Sequence, residues 1–592
     1  MGKSEVEQRV ESDPVTPTEE LADGTSERPN VEHQFNEQTN YLPTARIITI
    51  FLVCASIDFF TLMDQTTLAA SLSIVSSQLG AGSQSSWIAG GFFITSTSFQ
   101  LLYGRLSDIW SRKNILLVGF GIFFFGSLAS SLATNVAQLI VFRAITGIGG
   151  GGLMTIAQTV ISDVVSLRER GKYQGIFGAF VALANGIGPV IGGALAKHDW
   201  RWIFRLNLPL TAITMVGVIF FTPLKKVEGD WKKKIRAIDF LGAFFALGGS
   251  TLIVLALTWG GGEKLWDSAA VIASLVLGVT CCVAFVLWQW KGATLPLVPL
   301  YIFKQKVVNG ASLTMFINGW GFVTQVYYIP TFYQLVYGYS TVKSGALLLP
   351  ITLTQTAFST LSGLLIHKTG RYREAILVGW IAWSVGLGMF STLNETSGLG
   401  KQIGYAVLTG FGVGCTLQPS LIAIQASVSR KNMAVVTSFR SFIRNLGATF
   451  GLAVAGTIIN NSLRSALSGL ADVQPENIQW LLNHPGDVLS GSVVLPGTEN
   501  SINLKGVFVE AYKKGFRTVF LVGAGLAASA FVFAFFLLPQ IELSRPDEEK
   551  LKAEGKKYDE ELRQKKEARS TQALTSAEPA AAENKAAQVE NP

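Results

Sequence analysis

The chain carries little charge for its length. Only 15% of its 592 residues are Asp, Glu, Lys or Arg, whereas soluble globular proteins contain about a quarter. The two ends hold much of that charge, because residues 46–540 contain only 53 of the 88 charged residues. Hydrophobic residues make up 49% of the sequence. This combination excludes an ordinary soluble enzyme and is typical of a polytopic membrane protein, whose helices cross the bilayer as apolar runs of about 20 residues.

Motifs for metal and nucleotide chemistry are also lacking. The four cysteines lie inside apolar stretches and support neither a disulfide framework nor a zinc site. The four histidines are scattered, no His-Glu-x-x-His occurs, and there is no Gly-x-x-x-x-Gly-Lys-[Ser/Thr] phosphate loop. We therefore expect no cofactor and no metal, and we expect that the chain is not an enzyme.

The net charge of +8 is unevenly distributed. Residues 1–45 carry −7 and residues 541–592 carry −2, so the body between them carries +17. Basic residues between apolar spans mark cytoplasmic loops, and no aromatic and basic platform for nucleic acid accompanies them. The expected partner is the lipid bilayer, with no nucleic acid.

Fourteen apolar, Gly-punctuated runs lie between Arg46 and Gln540, each long enough to span a bilayer. Basic loops alternate with nearly neutral ones, so the positive-inside rule places the basic loops and both termini in the cytoplasm. The sequons at Asn394 and Asn460 then fall on the opposite side, where N-glycosylation can occur. The predicted fold class is an all-α polytopic membrane protein with fourteen transmembrane helices.

An internal repeat organises these helices. Gly104 and Arg112 recur as Gly363 and Arg371, and Gly188-x-x-x-Gly192 recurs at the same offset of 259 residues. Helices 1–6 therefore repeat as helices 9–14, and helices 7 and 8 are an insertion. The predicted domains are a disordered cytoplasmic tail (1–45), a six-helix half (46–223), a cytoplasmic loop with the two inserted helices (224–308), a second six-helix half (309–540) with a long exoplasmic loop (461–516), and a disordered cytoplasmic tail (541–592) in which 551–569 can form a charged helix.

A charge cluster lies at the turn between the second and third helices. Gly104 permits close helix packing, and Asp108, Arg112 and Lys113 gather charge at the cytoplasmic end. Such a cluster can latch the two halves in one conformation and release them in another. The alternative is topogenic charge, which explains Arg112 and Lys113 but not Asp108.

The fifth helix is rich in small residues. Gly186, Gly188, Pro189, Gly192 and Gly193 lie within eight consecutive positions. Small residues let backbones approach closely, and a proline inside a helix removes a hydrogen bond and kinks it. The residues alone therefore predict a close-packed, kinked helix.

These motifs resemble those of a known family. The segments Gly104-Arg-Leu-Ser-Asp108-Ile-Trp-Ser-Arg112-Lys113 and Gly188-Pro189-Val-Ile-Gly192-Gly193 are similar to the loop signature and the fifth-helix antiporter signature of the fourteen-helix drug:proton antiporter branch of the major facilitator superfamily, in its fungal form. Ile109, Ser111 and Ala184 depart from those signatures. The resemblance implies the major facilitator fold, with two six-helix halves, and a fifth helix that seals the cavity against proton leak.

Ionisable residues at membrane depth give the main indication of mechanism, because each is costly there and faces a partner or a water-filled cavity. Asp58 and Asp64 lie in the first helix and Arg143 in the fourth. Either carboxylate can take and lose a proton as the cavity alternates, and Arg143 can pair with one of them; Asp64 and Arg143 also match the family's first-helix acid and intramembrane arginine. The alternatives are a helix-end position for Asp64, a structural hydrogen-bond acceptor for Asp58, and snorkelling of Arg143 to the outer surface.

The second half offers residues for a substrate cavity. Arg440 and Arg444 are one turn apart on the thirteenth helix. We expect Arg444 to meet an anionic substrate or to act as an internal counter-charge, and Arg440 to reach the cytoplasmic interface. Aromatic and amide side chains suit amphipathic organic molecules, and the alternative for the aromatic residues is a belt at the outer interface. The side chains predicted to line the cavity are Trp320, Gln325, Gln355 and Gln418.

The sequence as a whole predicts a secondary active transporter that works by alternating access. Together with the resemblance, it indicates a proton-coupled exporter of small organic molecules such as drugs, toxins or secreted metabolites, monomeric and located in the plasma membrane. A vacuolar transporter of basic amino acids is one alternative. A transporter-like sensor that signals through its cytoplasmic tail is another.

Overall fold

The computed structural model describes residues 42–79, 85–196, 198–224, 227, 230–260, 264–470, 473, 477–478, 480–481, 488, 491–494, 501–543, 549–561, 563–564 and 567. Nearly all of the predicted N-terminal tail and the end of the predicted C-terminal tail therefore lie outside the described residues. The basic loops that the sequence predicts to be cytoplasmic contact one another at one end of the helix bundle, which we call the basic end.

The described chain is built almost entirely from helices. The first part contains α1 (Thr44–Leu79), α2 (Ser85–Ile109), α3 (Arg112–Ser131), α4 (Val136–Val164), α5 (Leu167–Ala196), α6 (Arg201–Arg205) and α7 (Asn207–Phe221). The middle part contains α8 (Trp231–Arg236), α9 (Phe240–Trp259) and α10 (Ala269–Lys291). The last part contains α11 (Lys306–Leu335), α12 (Thr341–Ala346), α13 (Leu349–Thr369), α14 (Arg373–Phe390), α15 (Leu399–Ala426), α16 (Met433–Leu467), the strands β1 (Ser492–Val494) and β2 (Ser501–Asn503), and α17 (Lys505–Leu537).

Polar residues at the helix starts fix several of these boundaries. The Asn135 side chain accepts a hydrogen bond from the Gln138 amide at 2.9 Å, which caps α4. Asp239 accepts from the Gly242 amide at 2.8 Å and caps α9. Such caps satisfy amides that would otherwise lack a partner at the start of a helix.

Eleven helical segments in the described part of the chain are long and apolar enough to cross a membrane. The segments 201–221 and 343–369 each combine a short helix with the longer one that follows. The more polar long helices α2, α11 and α14 complete a set that is compatible with the predicted fourteen spans, and the exact count stays a prediction.

The spanning helices pack as two groups. In the first group α1 packs on α5, and α2 and α3 pack on α4; in the second, α11 packs on α16, α13 and α14 pack on α15, and α17 packs on α14. The groups meet along two seams, α2 with α16 and α5 with α13. The repeat makes α2 equivalent to α13 and α5 equivalent to α16, so each seam is the counterpart of the other. The pair α9–α10 lies beside the first seam, where α9 packs on both α2 and α16.

The long connection predicted at 461–516 is shorter than expected. Helix α16 continues to Leu467 and α17 begins at Lys505. Both helices extend into polar sequence because Leu463, Leu467 and Phe508 are buried there and give each extension an apolar face. Between the helices, β1 and β2 pair antiparallel with Val493 opposite Ile502. The all-α prediction is therefore confirmed apart from this small hairpin.

Candidate functional site

A buried ion pair joins α1 to α4. Arg143 Nη1 lies 2.7 Å from Asp64 Oδ2, and the two side chains are 1% and 0% exposed. Asn207, the first residue of α7, donates from Nδ2 to Asp64 Oδ1 at 2.6 Å. The structure thus brings together the two predicted residues and adds Asn207, so that both carboxylate oxygens have a donor.

Aromatic rings enclose the same arginine. The guanidinium carbon of Arg143 lies 4.7 Å from the ring centroid of Phe92 and 5.7 Å from that of Phe204. Stacking of this kind stabilises a desolvated cation. Arg143 therefore points into the protein and does not snorkel to the outer surface, and Asp64 is not an exposed helix-end residue.

Asp58 lies on the same helix but in a different environment. Its side chain is buried and neighbours Gln158 of α4 and Cys54 one turn earlier. Its Oδ1 atom has no hydrogen-bond partner among the described residues. The two first-helix carboxylates thus differ, since Asp64 is ion-paired and Asp58 contacts neutral groups.

The predicted loop cluster forms a network at the basic end. Arg112 Nη1 lies 2.7 Å from Asp108, and Arg112 Nε lies 2.9 Å from Asp163 at the end of α4. Arg105 lies 3.9 Å from Asp108. These ion pairs connect α2, α3 and α4 of one half. Sequence reasoning missed Asp163, although an acid at the end of an otherwise apolar helix was a usable signal.

Lys113, the fourth member predicted for this cluster, reaches a different helix end. Its Nζ donates to the Ile219 carbonyl at 2.6 Å. Basic side chains stabilise carbonyl groups at helix C-termini in this way. Lys113 thereby secures α7 to α3.

Glycines set the contact between the halves at the basic end. A Cβ atom on Gly104 of α2 would lie 2.6 Å from Ser438 Cβ of α16. In the other seam, a Cβ on Gly363 of α13 would meet the carbonyl carbon of Gly171 of α5 at 3.0 Å. Each helix pair approaches this closely only because the side chain is absent, and the repeat-related glycines do so in both seams.

Arg170 at the start of α5 also crosses the boundary. It is fully buried, donates from Nη1 to Gln425 Oε1 of α15 at 3.2 Å, and donates from Nη2 to the Ser162 carbonyl. Gln425 in turn donates to Ser162 Oγ at 2.8 Å and to Thr437 Oγ1 at 2.9 Å. Hydrogen bonds therefore join the halves at the basic end, through residues that sequence reasoning did not select.

The fifth-helix glycines seat α5 on α1. A Cβ on Gly188 would lie 2.8 Å from Thr66 Cβ, and one on Gly192 would lie 2.7 Å from Thr67 Cα. Gly186 and Gly193 face open space. Helix α5 continues through Pro189, and its kink stays a prediction. Thr66, which contacts Gly188, is two positions after Asp64, so α5 packs on α1 close to this carboxylate.

The polar centre of the second half is formed by α11, α15 and α16. Arg444 donates from Nε to Asn318 Oδ1 at 3.0 Å, and its guanidinium lies 5.1 Å from the Phe322 ring centroid. Asn318 donates from Nδ2 to Thr416 Oγ1 at 3.2 Å. Asn318 is thus the partner of Arg444 that sequence reasoning did not select.

The expectation for Arg440 was wrong. The side chain is buried, donates from Nη2 to the Leu417 carbonyl at 2.6 Å, and lies 3.3 Å from Ser420 Oγ. It therefore links α16 to α15 inside the bundle and does not reach the interface. The carbonyl that binds Arg440 belongs to a neighbouring helix, so this contact is a feature of tertiary packing.

The other predicted cavity residues are dispersed. Gln325 is 1% exposed, and neither amide atom has a hydrogen-bond partner among the described residues. Trp320 lines a crevice with Trp380 and Trp383 of α14, on a different face of α11 from Asn318. Gln355 and Gln418 are buried in α13 and α15, and their place in a cavity stays a prediction.

The two sequons differ in setting. Asn394 lies in the exposed turn between α14 and α15, where its Oδ1 accepts from Thr396 Oγ1 at 2.8 Å. Asn460 lies within α16 because that helix runs to Leu467. Modification at either residue stays a prediction, and the turn at Asn394 is the more accessible site.

The C-terminal segment packs onto the basic end. Residues 549–561 are helical, and Asp559 Oδ1 lies 2.8 Å from Arg46 Nε at the start of α1. Tyr372 Oη donates to the Pro539 carbonyl at 2.6 Å and accepts from the Ile541 amide at 3.0 Å; burial raises the pKa of Tyr372 to about 12. The described part of the predicted disordered tail is thus ordered against the bundle.

Two helical groups that share a repeat, with ionisable side chains buried inside them, define a polytopic membrane transporter. The family model for the Major Facilitator Superfamily matches residues 54–452, and the chain belongs to that superfamily. It is a membrane transporter, in a family whose members are not enzymes in general.

Several fungal proteins are similar over most of the chain. MFS-type transporter ppz2 of Metarhizium majus is 32% identical over 528 residues, 88% of this chain and 90% of that protein. Citrate exporter 1 of Yarrowia lipolytica is 32% identical over 88% of this chain and 77% of that protein. MFS-type efflux pump LUC4 of a Fusarium species is 31% identical over 83% of this chain and 88% of that protein.

Solved structures share the fold. The human organic anion transporter MFSD10 (TETRAN) aligns with a TM-score of 0.55 at 13% identity, covering 83% of this chain and 99% of that one. The proton:xylose symporter XylE aligns with a TM-score of 0.56 at 13% identity, covering 86% of this chain and 99% of that one. At this identity the likeness concerns the fold alone.

Proposed function

We propose that this transporter exports small organic molecules by alternating access and that inward proton movement drives the export. The observation that carries the proposal is the Asp64–Arg143 pair, in which a carboxylate and a guanidinium are both removed from solvent. A buried pair of this kind is stable only while both members remain charged and in contact. Protonation of Asp64 therefore changes the energy of the arrangement by several kcal/mol and is suited to bias a two-state protein.

Helix packing connects the Asp64–Arg143 pair to the contact between the two halves. Asp64 is followed by Thr66 and Thr67, against which Gly188 and Gly192 of α5 pack. The same α5 forms the seam with α13 through Gly171. A change in α1 at Asp64 thus acts on the helix that joins the halves, which is the kind of rigid-body coupling that alternating access requires.

The closed basic end supports the same mechanism. Arg170 and Gln425 connect the halves there, and the Asp108–Arg112–Asp163 network stiffens the end of the first half that carries Gly104. We propose that these contacts hold the present state and separate when the other state forms. Asp58, which lacks a described cationic neighbour, is proposed as a second protonation site on the path.

The direction and cargo class follow the relatives and the site. The similar proteins are named as efflux pumps and as a citrate exporter, and we propose export of small organic molecules across the plasma membrane by a monomer with both termini in the cytoplasm. A proton leak along α5 without movement of substrate would abolish this coupling. We propose that the tight contact between α1 and α5 prevents such a leak.

The test is transport by purified protein in proteoliposomes with an imposed pH gradient. The probes are citrate, benzoate, tetraphenylphosphonium and arginine, each supplied at the same concentration, with a trapped pH dye to report proton movement. We expect uptake of an organic probe against its gradient only when protons move the opposite way, and loss of uptake when an ionophore removes the pH gradient. Transport of a probe that continues unchanged without a pH gradient would overturn proton coupling, and transport of arginine alone would favour the basic amino acid alternative.

A further inference from the structure

The membrane-spanning helices of the second half carry an uncompensated positive charge. Arg440 and Arg444 both lie in α16, and the sequence contains no Asp or Glu in α11, α13, α15 or α16. The acids of the two remaining spanning helices lie near helix starts, where the Glu374 and Glu510 side chains are 62% and 74% exposed. No carboxylate of this half is therefore available at the depth of Arg444.

The first half does not supply the missing charge through its ion pair. Asp64 is held by Arg143 and Asn207, and Asp58 neighbours Gln158 and Cys54 of its own half. An arginine inside a membrane protein normally pairs with an acid, with backbone carbonyls or with its ligand. Arg440 follows the second pattern, because it bonds the Leu417 carbonyl. Arg444 follows neither of the first two.

Arg444 is instead positioned by neutral groups. Its Nε atom donates to Asn318 Oδ1, and its guanidinium carbon lies over the Phe322 ring, 5.1 Å from the ring centroid. Among the described residues, the two terminal nitrogens of Arg444 form no hydrogen bond, and the side chain is only half-buried. The planar edge that these nitrogens form is the edge that binds a carboxylate with two parallel hydrogen bonds.

A second polar group lies on the same helix face. Asn318, Phe322 and Gln325 occupy positions i, i+4 and i+7 of α11 and therefore share one side of the helix. Gln325 is 1% exposed, and both of its amide atoms lack a partner in the described part of the chain. A buried amide without partners is costly unless a ligand or water satisfies it.

We propose that Arg444, Asn318 and Gln325 form a subsite for the carboxylate group of an anionic organic substrate. Arg444 binds the carboxylate, Asn318 fixes the guanidinium, and the Gln325 amide donates to a second oxygen of the substrate. Phe322 supplies an apolar surface for the carbon skeleton. This inference rests on the proposed transport function and narrows its cargo to molecules that carry a negative charge.

Binding to the purified full-length protein tests the subsite without any transport step. Citrate and benzoate serve as anionic probes and tetraphenylphosphonium as a cationic one, with calorimetry as the readout. We expect Arg444→Gln to weaken binding of both anions at least tenfold and to leave the cation unaffected, and Arg444→Lys to recover only part of the loss because it lacks the planar fork. Arg464→Gln, on the same helix at its exposed end, is the matched control and should bind as the wild type does.

Asn318→Asp keeps the test decisive if Arg444→Gln folds poorly. The new carboxylate has the size of the amide and lies within bonding distance of Arg444, so it should neutralise the arginine, raise the melting temperature and weaken anion binding at least tenfold. Unchanged anion binding in this variant and in Arg444→Gln overturns the subsite.

The outcomes separate this inference from the proposed function. If the wild-type protein moves tetraphenylphosphonium in exchange for protons and binds neither anion, the subsite is wrong and proton-coupled export stands. If no probe moves under any pH gradient but the anions bind in a manner that depends on Arg444, the subsite stands and proton-coupled export is wrong.

Discussion

Asp64 and Arg143 come from helices that are neighbours in space but 79 positions apart in sequence, and they satisfy each other inside the bundle with a 2.7 Å contact. Among the described residues, neither forms a second ion pair. Removing one member therefore leaves the other buried and charged, and removing both leaves two neutral groups of similar shape. That asymmetry separates a role in folding from a role in coupling.

The single variant Asp64→Asn should destabilise the protein, by about 3–5 kcal/mol, because Arg143 loses its counter-charge in a buried site. The double variant Asp64→Asn with Arg143→Gln should recover most of that stability and should still fail to couple transport to protons. Thermal unfolding in detergent measures the first effect, and gradient-driven uptake into proteoliposomes measures the second. If the double variant regained gradient-driven uptake, the pair would be structural only.

Asp58→Asn should impair proton coupling with little loss of stability. No described cation depends on Asp58, so the substitution should leave the melting temperature within a few degrees of the wild type or raise it. We expect exchange of substrate across the membrane without net proton movement to continue, and gradient-driven accumulation to fall at least tenfold. Cys54→Ser, at the neighbouring buried cysteine, is the control for altered packing. If Asp58→Asn accumulated substrate as the wild type does, Asp58 would not belong to the proposed proton path.

The sequence predicted the features that depend on local pattern. Apolar runs located the long helices, and the small residues Gly104, Gly188 and Gly192 were recognised as points of close packing because a glycine in a membrane helix has few other uses. The repeat at Gly104 and Gly363 correctly indicated two related halves. These features need no knowledge of which helices are neighbours.

Partners that come from distant parts of the chain were not predictable in the same way. Asp163 joins Arg112, Asn318 joins Arg444, and Gln425 joins Arg170, and each pair forms only after the helices have packed. Arg440 shows the limit clearly: its place near the start of α16 suggested the interface, whereas a carbonyl of α15 binds it inside the bundle. Position along one helix does not determine which side of that helix is buried.

Gly104→Val should weaken the closed arrangement at the basic end, because its side chain would collide with Ser438 of α16. The matched control is Gly121→Val in α3, where an added Cβ meets no atom within 4 Å. Spin labels at Lys172 and Lys368, which are exposed at the ends of α5 and α13, report the separation of the halves. We expect a longer distance to become more populated in Gly104→Val and the Gly121→Val distribution to match the wild type. An unchanged distribution in both would show that this seam does not control the conformation.

The C-terminal helical segment 549–561 should be held to the bundle by Asp559, whose side chain is 4% exposed and contacts both Arg46 at 2.8 Å and Arg563 at 3.0 Å. Asp559→Asn removes the charge that binds Arg46, so amide exchange in this segment should accelerate by about tenfold, equivalent to ~1.4 kcal/mol. Glu560→Gln is the matched control, since that neighbouring side chain is exposed and its exchange should follow the wild type. Because Arg46 lies in the first turn of α1, the helix that contains Asp58 and Asp64, release of the segment should also speed amide exchange in that turn. Fast exchange in the wild-type segment, equal to that of Asp559→Asn, would show that the Arg46–Asp559 contact contributes nothing to its docking.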